Sequence, residues 1–188
     1  MEAKFSPRVK DLIRLSKEEA TRLKNEYVAP EHFLLAIIGL SDSKAYGLLK
    51  EFDVPFDAVK SALEKVLRTS SQNSLFQPAS TPLLKQSENI LKQSFLESKL
   101  FKSAIIGTEH ILLTMLKYED CAACQILNKH GIMYENLKDE YMTMNKNYTS
   151  PKAEFPSNNN DEEEDGGGVP KKPNDSKSKT PVLDNFGR

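Results

Sequence analysis

The chain has 188 residues, a formal net charge of −1 and 38% hydrophobic residues, which bounds it to one ordinary domain, or one domain with a tail. Its first 146 residues carry a net +1 with no Lys/Arg stripe, which argues against nucleic acid as the main partner. No apolar run approaches the roughly 18–20 residues of a membrane span. The N-terminus lacks a signal-peptide pattern, and two cysteines fit a reducing, cytoplasmic setting.

Taken from the start, Ser6 before Pro7 reads as an N-cap with proline in the first turn. Val9, Leu12, Ile13, Ser16, Ala20 and Leu23 then follow helical spacing and make one face. The stretch "VAPEHFLLAIIG" begins at Val28, and Pro30 opens a second helix. Because "FLLAII" is apolar on nearly every side, that helix is expected to be enclosed by the others. Asp42 reads as the N-cap of a third helix carrying Ala45, Leu48, Leu49 and Phe52. A fourth starts near Pro55 and buries Phe56, Val59, Leu63 and either Val66 or Leu67. The polar stretch "RTSSQNSLFQPASTP" follows.

The chain then repeats itself. Shifted by 78 residues, Phe5–Arg68 falls without a gap on Leu83–Lys146. Glu31 and His32 fall on Glu109 and His110, Leu34 and Leu35 on Leu112 and Leu113, Asp42 on Asp120, and Val59 on Leu137. Apolar class is kept at the helical positions, which marks a tandem duplication. Thr108 opens the second helix of the second copy, and Asp120 reads as the cap of its third. The expectation is an all-α fold: repeat one at 1–68, a linker at 69–82, repeat two at 83–146, the two four-helix units packed as a pseudo-two-fold eight-helix domain. Each unit alone is small for a core. No strand pattern competes. Residues 147–188, with "SNNNDEEEDGGGVPKKPNDSKSK" and a net charge of −2, cannot bury enough surface to offset their ordering entropy and read as a disordered linker.

Few residues are placed for chemistry. Glu31 and Glu109 lie in first turns, where the helix dipole alone favours a carboxylate; the functional reading is an acidic site for a guanidinium or ammonium group. His32 and His110 read as buried or boundary residues that bond backbone through one ring nitrogen, since no nucleophile stands in a motif with them. Cys121 and Cys124 form a lone CxxC whose counterparts in the first copy are Ser43 and Tyr46, so they read as small packing residues rather than a zinc or redox site. "DEEED" is a solvated run, and the phosphate-binding GxxxxGK[ST] pattern does not occur. No metal site is expected, and the residues favour a binding module over an enzyme.

With "FSPRVKDLIRLSKEEATRL", "PEHFLLAII" and "TEHILLTML", the stretch 1–146 closely resembles the Clp repeat, the N-terminal domain of ClpC/ClpA-type AAA+ unfoldases. "KTPVLDNFGR" at the end is similar to the entry of a first ATPase module. The resemblance implies a domain that receives substrate and adaptor proteins for a hexameric motor, which threads them into the ClpP peptidase. Neither membrane nor nucleic acid is a partner in that reading. It implies no cofactor here, ATP and Mg belonging to motor modules beyond this stretch; a stand-alone accessory protein docking on the protease ring is the alternative. In some ClpC relatives the repeats bind phosphorylated arginine. By position this implies Glu31 with Ser6 in repeat one, while in repeat two Glu109 keeps its Thr108-Glu109-His110 context without the phosphate partner. Leu84 stands where Ser6 does in the first copy, so the hydroxyl there is lost unless Thr81 reaches in. Pro30 stands where the family has threonine. Each repeat is thus expected to lack one piece, with phosphoarginine recognition weakened or absent, and His32 and His110 to support an exposed helix mouth.

Overall fold

In the computed structural model, which describes residues 4–71 and 81–148, the helix starts follow local chemistry. Ser6 Oγ accepts from the Val9 N–H at 3.2 Å and opens α1 (Pro7–Arg22), with proline in the first turn. Then come α2 (Pro30–Gly39), α3 (Lys44–Glu51) and α4 (Phe56–Ser71). The second copy gives α5 (Lys85–Leu100), α6 (Thr108–Leu116), α7 (Ala122–Lys129) and α8 (Tyr134–Tyr148). From residue 149 on, the expected linker lies outside the described residues, as do 72–80 of the inter-repeat stretch.

Two expectations need correction and one alternative is settled. Ser43 and Cys121, not Asp42 and Asp120, cap α3 and α7: Ser43 Oγ accepts from Tyr46 N–H and Cys121 Sγ from Cys124 N–H. The side chain one residue nearer the helix reaches the free amide. Of Val66 and Leu67, Leu67 is buried and Val66 lies open. There is also extended pairing. β1 (Lys4–Phe5) runs parallel to β2 (Ile105–Ile106), and a single parallel bridge joins Val28 to Leu83. Phe5 and Leu83, like Val28 and Ile106, are 78 apart, so both pairings are one contact made twice. Two residues are too few for alternation to register in sequence.

α2 and α6 are the inner helices, with Phe33, Leu34 and Ile37, and Ile111, Leu112 and Leu113, fully buried. α1 lies on α2 and α5 on α6. The third helices cross over: α3 packs chiefly on α6, while α7 packs on α4 and α2. The two copies therefore share one core.

Candidate functional site

Both Glu-His pairs stand in the first turns of the inner helices, yet neither mouth is exposed. His32 and His110 are fully enclosed, and Glu31 and Glu109 retain 7% and 3% exposure. In place of the exposed mouth expected from sequence, each Glu-His turn packs against the third helix of the opposite repeat. Each histidine closes its own helix start: His32 Nδ1 accepts from Ala29 N–H and His110 Nδ1 from Gly107 N–H, both at 2.9 Å. With Nδ1 accepting, Nε2 carries the hydrogen, and at His32 it donates to Asn25 Oδ1 at 3.0 Å. Burial pulls the His32 pKa down to about 4 and lowers that of His110 as well. Both rings are neutral structural caps. The nearby Glu109 carboxylate therefore makes no ion pair with the His110 ring.

The carboxylates are used differently in the two copies. Glu31 Oε1 accepts from the Ala123 N–H at 3.2 Å and so caps α7 of the other repeat. In the equivalent place Thr108 Oγ1 accepts from the Ala45 N–H of α3 at 3.2 Å. Pro30, the counterpart of Thr108, has no hydroxyl, and its glutamate neighbour takes over the capping. Glu109, relieved of that task, folds back over Gly107, where a Cβ would collide with its carboxylate. Its Oε1 accepts from Tyr141 Oη at 3.4 Å and lies 3.6 Å from Lys44 Nζ.

The expected pairing of Ser6 with Glu31 does not form. Ser6 N–H donates to Ile106 O, which places Ser6 beside the start of α6, and Leu84 N–H donates to Val28 O beside the start of α2. Each junction thus joins the first helix of one repeat to the Glu-His turn of the other. Ser6, Thr108 and Glu109 share one junction; Leu84, Pro30 and Glu31 share the other. The losses read from sequence, one per repeat, fall together on a single junction. Thr81 does not compensate: its hydroxyl meets that of Thr21 at 3.3 Å, outside the residues lining the recess at Glu31.

That recess is an open cleft of about 500 Å³. Tyr27, Val66 and Leu84 give it an apolar, partly exposed rim. Glu31 and His32 line its floor, and Asp120, Cys121 and Ala122 its α7 side. Burial pushes the Cys121 thiol up to about 12 and raises that of Cys124, whose Sγ donates to Leu116 O. Both sulfurs pack as neutral thiols. Among the described residues no group of three or more His, Cys, Asp or Glu is placed to hold a metal ion. Sequence reasoning missed Arg8, Lys44, Gln86 and Ala122, which surround the two junctions. Their signal was the 78-residue register, in which Arg8 faces Gln86 and Lys44 faces Ala122.

Doubled helical units, crossed third helices and paired Glu-His turns define a class of tandem-repeat helical domains. The sequence matches the Clp repeat N-terminal domain over residues 4–130 and again over 83–154; the chain belongs to that family. It is 30% identical over 140 residues to a probable ATP-dependent Clp protease ATP-binding subunit of Chlamydia pneumoniae, covering 74% of this chain and 16% of that protein. The chain thus spans about a sixth of that relative's length. Its fold is similar to the Hsp104 N-terminal domain of Candida albicans, with a TM-score of 0.63 and 20% identity, covering 76% of this chain and 91% of that one. It is also similar to a ClpV N-domain in complex with a VipB peptide, with a TM-score of 0.60 and 20% identity, over 75% and 86% of the two chains.

Proposed function

We propose that this domain recruits substrate and adaptor proteins to a Clp AAA+ unfoldase in the cytoplasm, which passes them to the ClpP peptidase; nucleotide and Mg would belong to the motor. The observation that carries this reading is the inter-repeat cleft, an apolar rim over a buried carboxylate, the combination that takes side chains of a partner chain. The ClpV N-domain, of similar fold, has been captured with a peptide. The test is fluorescence anisotropy of labelled unfolded casein against the full chain. Saturable binding, weakened by Val66→Glu with Leu84→Glu on the open rim, is expected. Failure to bind casein, or binding indifferent to both changes, would sink the recruitment reading.

A second reading, recognition of phosphorylated arginine, is favoured by the meeting of Ser6, Thr108 and Glu109 at one junction. Arg8 and Lys44 stand there as cations for a phosphate, each already paired with an acid, Asp42 and Glu109. In this reading the ligand takes one junction rather than two. An amide chemical-shift titration with free phosphoarginine is expected to move Ser6 and Glu109 and leave Glu31 still.

A further inference from the structure

The duplication provides an internal comparison. At the Glu109 junction each acid has its own cation: Asp42 is paired with Arg8, and Glu109 lies 3.6 Å from Lys44 Nζ. At the Glu31 junction the same two acids are kept, as Asp120 and Glu31, but the cations are replaced by Gln86 and Ala122. Glu31 is more than nine-tenths buried, holds a single hydrogen bond to Ala123 N–H, and has no cationic partner among the described residues. No lysine or arginine is among the residues lining the cleft. The compensation for Glu31 is the Ala123 N–H and the starts of α2 and α7, whose partial charges fall short of a full counter-ion.

We propose that the Glu31 cleft binds an unphosphorylated cationic side chain, arginine or lysine, of a partner polypeptide, with an apolar neighbour seated on the rim. The incoming cation supplies for Glu31 the charge that Lys44 brings near Glu109 at the other junction, entering the cleft that Asp120 also lines. Its apolar neighbour covers Tyr27, Val66 and Leu84, which are 49%, 38% and 36% exposed. A phosphorylated guanidinium is rejected. Its dianion would meet Glu31 and Asp120, Pro30 offers neither hydroxyl nor N–H, and Leu84 offers no hydroxyl. The inference rests on the recruitment reading for the partner being a polypeptide, and its chemistry follows from the residues of the cleft.

The test titrates the full 15N-labelled chain with acetylated, amidated pentapeptides Gly-Leu-X-Leu-Gly, where X is arginine, lysine, glutamine or phosphoarginine. The arginine and lysine peptides are expected to bind about tenfold or more tighter than the other two, a difference of about 1.4 kcal/mol or more. Shifts should centre on Glu31 and Asp120. Glu31→Gln keeps an acceptor for Ala123 N–H, and Ala122→Lys installs the cation found at the other junction. Both variants should erase the preference while amide spectra stay folded. Equal binding of the glutamine peptide, preference for phosphoarginine at Glu31, shifts centred on Glu109, an unaffected Ala122→Lys variant, or no binding at about 5 mM peptide would each overturn the proposal. Casein capture separates the readings: casein bound without a cation preference leaves recruitment standing and removes only this inference.

Discussion

His32 does at residue scale what a capping glutamine does in many helices, accepting from the N-cap amide three residues back. Its ring also ties α2 to Asn25, whose Nδ2 in turn donates to Leu67 O of α4. Protonation would force a hydrogen onto Nδ1 opposite the Ala29 N–H, inside an enclosed site. With a folded pKa of about 4 against 6.5, the unfolded chain binds the proton more readily between those values. The His32 contribution is therefore intact above about pH 6.5 and is lost as pH falls towards 4. At pH 5 the loss amounts to about 2 kcal/mol. Urea unfolding at pH 7 and pH 5 checks this with His32→Gln, which keeps the amide acceptor and cannot titrate. The variant starts less stable at pH 7, having lost the ring's packing, but is expected to lose about 2 kcal/mol less than the native chain on acidification. Equal losses in both proteins would assign the proton uptake to other groups.

Helix ends show the same duplication in the backbone. α1 and α5 stop at left-handed Lys24 and Lys102 (φ 58° and 55°), and α3 and α7 at Asp53 and Gly131 (φ 49° and 79°). In each case the next residue's N–H reaches back five residues, as Asn25 does to Ala20 O and Ile132 to Leu127 O. Only the fourth of these turns has the residue for which this conformation is free of strain. Asp53→Gly, copying Gly131, is expected to raise stability by about 1 kcal/mol, read from the urea midpoint at constant slope. No gain would mean that the Asp53 side chain offsets its own backbone strain. Those helix ends were not read from sequence, but helix starts and the inner helix were legible because their causes are local: Ser6-Pro7, Pro30 and the apolar "FLLAII" each act within a turn. The caps of α3 and α7 were misplaced by one residue because Asp42-Ser43 and Asp120-Cys121 offer two adjacent acceptors, and only the path of the chain selects between them. The carboxylate positions Glu31 and Glu109 were legible too. Their burial was not, since the covering groups come from about 60 to 90 residues away along the chain.

Across the whole molecule, the repeat register says which residues are equivalent but not which copy each one touches. That is why Ser6 was paired with Glu31 from sequence, whereas the chain sets it beside Glu109. The crossing has an energetic consequence. α2 is apolar on nearly all sides, and part of its cover is α7; α6 likewise depends on α3. A single repeat keeps its own inner helix but leaves it open where the other copy's third helix belongs. Pieces of about 70 residues are already marginal for a core, and exposing even two or three buried leucine-sized side chains forfeits about 5 kcal/mol. That is comparable to the whole stability of a small domain. Residues 1–71 and 81–148, expressed separately, are each expected to show weak helical circular dichroism and no cooperative urea transition. Mixed in equal amounts they should recover a sigmoidal transition, because the missing third helices are then supplied in trans. A cooperative transition in either half alone would show that the crossed helices are dispensable. The two repeats would then be independent units that merely touch, and the junction clefts would lose their claim to be fixed by the core.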